Sequence, residues 1–119
     1  MNKTKELVKN IVEGIQDKKG KEIVIADLTN IHDTVCKYFV VCHGTSPSQV
    51  EAIAGSVYDY VREHTGEKPA GVDGLHNRQW VVIDYADVMV HVFLPEERDF
   101  YDIEHLWEDA NLERIADID

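Results

Sequence analysis

Between Trp80 and Phe93 the chain spells out a hairpin, and this feature restricts the fold more than any other. Trp80-Val81-Val82-Ile83-Asp84-Tyr85 and Val88-Met89-Val90-His91-Val92-Phe93 are two runs of equal length joined by Ala86-Asp87. Their β-branched and aromatic content and the two-residue link read as neighbouring antiparallel strands. In the period-two alternation His91 shares a face with Met89 and Phe93, so it reads as a half-buried histidine with a backbone partner. From Pro95 to Trp107 the spacing becomes helical, with Phe100, Ile103 and Trp107 at i, i+3 and i+7 as the core stripe of a short helix.

Upstream, Leu7, Val8, Ile11, Val12 and Ile15 recur at helical spacing, which predicts an amphipathic helix stopped near Gly20 and modestly weakened by Gly14. Ile23-Val24-Ile25-Ala26 and Tyr38-Phe39-Val40-Val41-Cys42 are unbroken apolar runs, expected as central strands covered on both faces. Ser46-Pro47-Ser48-Gln49 marks a helix start: Ser46 caps, Pro47 fits the first helical position, and Gln49 completes a capping box. Val50, Ile53, Ala54, Val57 and Val61 form the buried stripe of that helix, which ends at Thr65-Gly66. Pro69 to Leu75, with Gly71 and Gly74, reads as an irregular or edge strand. The expected order is αββαββ with a C-terminal helical segment, an α/β class with a mixed β-sheet flanked by helices.

At 119 residues the chain fits one domain with one core. The expected division is a domain over residues 1–107 and an acidic tail over 108–119. Twelve Lys and Arg stand against 23 Asp and Glu, a formal net charge of −11. Ten acids and two basic residues lie between Pro95 and Asp119, whereas Met1 to Lys21 carries six lysines and three acids. Such a field repels phosphate backbones over the C-terminal half and attracts a basic protein, so direct nucleic-acid binding is not expected. Cys36 and Cys42 have no Cys-x-x-Cys spacing and read as reduced, buried thiols of a cytoplasmic protein. No signal-peptide pattern and no membrane-length apolar run is present, so neither export nor membrane insertion is expected.

Few residues suggest catalysis. Gly44-Thr45-Ser46 precedes a helix N-terminus, where an anion would be favoured, but the Walker lysine and the glycine fingerprint are missing and capping accounts for the residues. Asp84 and Asp87 lie across a turn and would diverge, so metal-assisted phosphoryl transfer lacks its paired carboxylates. His32 with Cys36 and Cys42 with His43 are isolated pairs without further metal ligands. No catalytic residue, metal or cofactor is assigned. What remains is a set of aromatics, Trp80, Tyr101 and Trp107, amid Asp84, Asp87, Glu96, Glu97, Glu104 and Glu108. Rigid rings ringed by acids suit an interface with a basic protein. With Phe100, Ile103 and Trp107 assigned inward, Tyr101 and Glu104 project from an adjacent face, and Trp80 opens its strand.

The stretch from Trp80 to Trp107 resembles the ribosomal silencing factor family, also called Iojap-like. The family pattern W-x-x-x-D-x-G-D-x-x-V-H-x-F, then E-x-R-x-F-Y-x-L-E-x-L-W, is followed almost position by position. Tyr38 to Ser46 is similar to the family's strand leading into a G-T-S turn. The departures are Cys36-Lys37 in place of a hydroxyl residue and an Asp, Ser48 in place of a basic residue, and Ala86 in place of Gly. A glycine takes positive φ without steric cost, so Asp87 is expected to carry the strain of the turn. The resemblance implies a nucleotidyltransferase-related fold without its catalytic carboxylates. It also implies a non-enzymatic factor that binds the large ribosomal subunit through ribosomal protein L-fourteen and keeps the small subunit from joining when nutrients are scarce. On that reading Trp80 is the hydrophobic anchor, Tyr101 a second anchor, and Asp84, Asp87, Glu97 and Glu104 pair with Lys or Arg. A homodimer of the free protein is left open, and a phosphate-handling enzyme is the alternative.

Overall fold

The computed structural model describes residues 3–31, 36–105 and 110–118. Its elements are α1 (Lys3–Asp17), β1 (Lys21–Asp27), β2 (Tyr38–His43), α2 (Pro47–Thr65), β3 (Gly71–Asp73), β4 (Trp80–Asp84), β5 (Val88–Phe93), α3 (Pro95–Tyr101), a 3₁₀ turn (Ile103–His105) and β6 (Asn111–Ile115). The strands form one mixed sheet in the order β3-β4-β5-β2-β1-β6. Among the described strands only β2 and β5 pair in parallel, joined by a crossover through α2, β3 and β4; the other neighbours are antiparallel.

Two expectations change here. Residues 111–115 are a strand hydrogen-bonded along β1, with Ala26 opposite Leu112 and Ile25 opposite Glu113, so the segment after 107 contributes to the sheet. The centre of the sheet is therefore β5 and β2, with β1 one place out and shielded by β6. β3 is the short edge strand expected around Gly71.

The helices α1 and α2 cover one face. Leu7, Ile11, Ile15, Ile53, Val57 and Val61 meet Val40, Cys42, Val81, Ile83, Val90 and Val92 there. Gly14 is the crossing point of the two helices: a Cβ on it would lie 3.0 Å from the Val57 Cα, and its carbonyl accepts a 2.7 Å hydrogen bond from Ser56. Its cost to α1 is offset by this close approach. At α2, Ser46 Oγ accepts from the Gln49 N–H at 3.1 Å with Pro47 behind it, as expected. The Gln49 side chain reaches one residue further back than a standard capping box, accepting from the Thr45 N–H at 2.7 Å and its hydroxyl at 2.8 Å. The opposite face is smaller and aromatic. Phe39, Val41, Phe93 and Ile103 form its centre, with Trp80, Met89 and Leu112 partly buried against them.

Candidate functional site: an aromatic patch on the second face

Period-two alternation sends Trp80, Val82 and Asp84 to the face away from α1 and α2, alongside Met89, His91 and Phe93 of β5. Trp80 stands opposite Phe93, and their rings stack at a centroid separation of 4.9 Å. The strand starts there because Gly74, at φ +91°, brings the preceding loop against the Trp80 backbone; a Cβ on Gly74 would come within 2.0 Å of the Trp80 carbonyl oxygen. A side chain has no room at that position.

Helix α3 supplies the rest of the patch. Leu94 N donates to the Gln79 carbonyl at 2.9 Å, which fixes the helix start beside Trp80. One helix length later Tyr101 lies 4.7 Å from Trp80, ring centroid to centroid, and Phe100 sits edge-on to Tyr101 at 5.0 Å. Tyr101 is 45% exposed and Phe100 81% exposed. The expected inward stripe is thus broken. Asp102 ends α3 in the left-handed region (φ 45°, ψ 44°), so Ile103 resumes out of phase and is buried while Phe100 faces solvent. Trp107, the third residue of that stripe, lies outside the described residues.

The acids divide. Glu97 stands four residues before Tyr101 and so shares its side of α3. Asp84 is on the Trp80 face at the far end of β4, about 13 Å away at ~3.3 Å per residue, and its carboxylate accepts from the Ala86 N–H at 2.7 Å. Asp87 is exposed at the rim, 3.4 Å from the Thr4 hydroxyl and 3.9 Å from Lys37 Nζ. Glu104 does not project outward. It is 6% exposed, and both carboxylate oxygens accept from Arg98, itself 8% exposed, at 2.9 Å each. A buried guanidinium needs such a bidentate partner, so Glu104 is withdrawn from the surface acids. Arg98 also donates to His43 Nδ1 at 3.0 Å, which obliges that nitrogen to accept and places the His43 proton on Nε2. Burial, and then the neighbouring guanidinium, holds the His43 pKa below the ordinary range. The cluster ties α3 to the 3₁₀ turn and to β2, and thereby sets Tyr101 beside Trp80.

His91 is more deeply placed than expected, at 6% exposure, and its partner is a side chain. Trp80 Nε1–H donates to His91 Nδ1 at 3.1 Å. Burial lowers the His91 pKa to about 4, so the ring is neutral at neutral pH. Sequence reading missed this pair and Phe100; the Trp80/His91 pair could have been sought, since Val82 opposes His91 and Trp80 is its diagonal neighbour on the same face. The turn expectation also changes: Ala86 itself carries φ +70°, and Asp87 N donates to the Tyr85 carbonyl across it, a tight three-residue turn.

Elsewhere the chemistry is quiet. Burial raises the Cys36 thiol to about 11 and Cys42 to about 12, so both stay protonated and poorly nucleophilic. Among the described residues no three His, Cys, Asp or Glu side chains converge as a metal would require; His32 lies outside them. No helix among them is long and apolar enough to cross a membrane.

The family model described as "Ribosomal silencing factor during starvation" matches residues 1–119. The chain is similar to ribosomal silencing factor RsfS of Bacillus subtilis, 38% identical over 115 residues covering 97% of this chain and 93% of that protein. A crystal structure of a protein from Chromobacterium violaceum superposes with a TM-score of 0.81 at 38% identity, covering 87% of this chain and 85% of the other. One from Bacillus halodurans gives 0.75 at 32% identity, covering 97% and 98%.

Proposed function

Because the chain belongs to the ribosomal silencing factor family, a regulatory rather than catalytic family, we propose that it binds the large ribosomal subunit through ribosomal protein L-fourteen and sterically blocks joining of the small subunit, repressing translation under nutrient limitation. The observation that carries this reading is the open aromatic patch that Trp80 of β4 forms with Tyr101 and Phe100 of α3. Clustered exposed aromatics on a small domain suit a protein contact, where a few rings supply most of the affinity. Trp80 is the anchor, Tyr101 and Phe100 extend it along α3, Glu97 flanks it, and Asp84 stands farther along β4, both acids serving Lys or Arg of a basic partner. Asp87 contributes from the rim. The net charge of −11 speeds encounter with such a partner.

A blocker acts by occupying its site. Purified protein added to isolated subunits should prevent their re-association without nucleotide, saturating near one copy per large subunit once its concentration exceeds Kd. Gradient sedimentation of the mixed subunits gives the answer. Joined ribosomes forming freely at saturating protein, or inhibition that needs ATP and works at far lower ratios, overturns the reading.

A further inference from the structure

We propose that His91 is the positioning residue of the Trp80 anchor, an inference that rests on reading the aromatic patch as the large-subunit contact. It holds the indole N–H inward, so that the ring meets the partner with no donor left to satisfy. The geometry points one way. Indole Nε1 can only donate, so the 3.1 Å contact requires His91 Nδ1 to be an acceptor and places the imidazole proton on Nε2. His91 is itself fixed: it sits on a central strand between Val41 of β2 and Val82 of β4. Phe39 packs against its ring at 5.0 Å and 76°, and Phe93 stacks at 6.1 Å and 14°.

The second nitrogen makes the case stronger. His91 Nε2 is buried with no hydrogen-bond partner among the described residues. A phenylalanine in this aromatic nest would pack without that orphaned donor, whose burial is unfavourable. Among the described residues the one polar contact of His91 is that to Trp80, so packing does not account for the imidazole and the acceptor does. The consequence for recognition is chemical. A Trp80 with a free N–H would favour a partner acceptor and would rotate among rotamers, whereas a tethered ring offers fixed apolar faces. Those faces suit the methylene stem of a lysine or arginine whose charged head reaches Glu97 on α3.

The test couples NMR of the free protein to binding of purified large ribosomal subunits. In the wild type, ring ¹⁵N shifts should show His91 protonated on Nε2. The indole N–H signal that disappears in Trp80→Phe should exchange slowly. In His91→Phe that signal should exchange about tenfold faster and affinity should fall about tenfold, the scale of one lost hydrogen bond, chiefly through dissociation, with melting within a few degrees of wild type. His91→Asn, which keeps an oxygen near the Nδ1 position, should restore slow exchange and bind within about threefold of wild type, since the acceptor is retained. A wild-type ring protonated on Nδ1 overturns the proposal, and this measurement does not depend on any variant folding. So does a folded His91→Phe that binds like wild type while Trp80→Ala does not. If Trp80→Ala itself binds unchanged, the reading of the surface fails, whatever the tautomer.

Discussion

The two faces of the sheet are built from the same six strands but to different ends. Under α1 and α2 the contacts are aliphatic and closed, with Ile11, Ile15, Ile53, Val57, Val81, Val90 and Val92 all inaccessible to solvent and Gly14 letting the helices touch. The other face is aromatic and partly open, and among the described residues it holds three of the four buried polar ones, His91, Arg98 and Glu104. Aliphatic packing is indifferent to direction and serves stability. Hydrogen-bonded rings and a buried ion pair are directional, and they fix where Trp80 and Tyr101 stand. Both sides contribute stability, but only the open side also sets orientation.

The largest break in that division comes from the buried ion pair. Glu104→Ala leaves Arg98 charged and buried without its carboxylate, which costs about 3–5 kcal/mol. Ile53→Ala on the closed face should cost a similar amount, about 2–5 kcal/mol. The two variants should differ in binding. Measured on folded protein, Ile53→Ala keeps wild-type affinity for large subunits, whereas Glu104→Ala loses affinity because α3 no longer holds Tyr101 against Trp80. Denaturant melts and subunit binding under strongly native conditions check both. Equal affinities would show that the ion pair is only a stability element.

A smaller and reversible break is available through pH. The unfolded His91 titrates near 6.5 and the folded residue at about 4, lowered by burial. A base buried neutral contributes stability fully above pH 6.5 and loses it as pH falls toward 4, because there the unfolded chain binds the proton first. At pH 5 the loss is about 2 kcal/mol at ~1.4 kcal/mol per unit. The difference in unfolding free energy between wild type and His91→Phe, followed from pH 7.5 to 5, should narrow or reverse by about that amount. A constant difference would show that His91 is not buried neutral.

The closed face was far more legible in the sequence than the open one. Its helices announce themselves through aliphatic periodicity and the Ser46-Pro47 cap, both local signals. The hairpin was equally plain, and with it the position of Trp80. What escaped depends on contacts distant in sequence or on a break in phase. Asn111–Ile115 is five residues of mixed polarity among acids, and only pairing with β1 makes it a strand. Glu104 looks like a solvated acid until α3 stops at Asp102 and the 3₁₀ turn swings it onto Arg98. The same stop turns Phe100 outward, since an i, i+3, i+7 stripe survives only while the helix does. Trp80 and Tyr101 were found because their residue types suit an interface; the histidine beneath them was not, because alternation gives a face but no hydrogen bond.

The mildest change lies in the turn joining β4 to β5, the strands that carry both faces. Ala86 holds φ +70° in a three-residue turn closed by Asp87 N to the Tyr85 carbonyl, and the family pattern has glycine at this place. Left-handed backbone costs an L-residue about 1–2 kcal/mol. Glycine removes that cost but gives up about 0.4–1 kcal/mol through its freer unfolded chain. Ala86→Gly should therefore gain ~0.5–1 kcal/mol and raise Tm by a few degrees. The gain should come without any change in binding, because the main-chain N–H that Asp84 accepts from remains and Trp80 lies at the other end of β4. Calorimetry and large-subunit binding on the same preparation decide it. A rise in affinity alongside Tm would mean that turn strain reaches the aromatic patch through the hairpin, and that the two faces are less independent than their packing indicates.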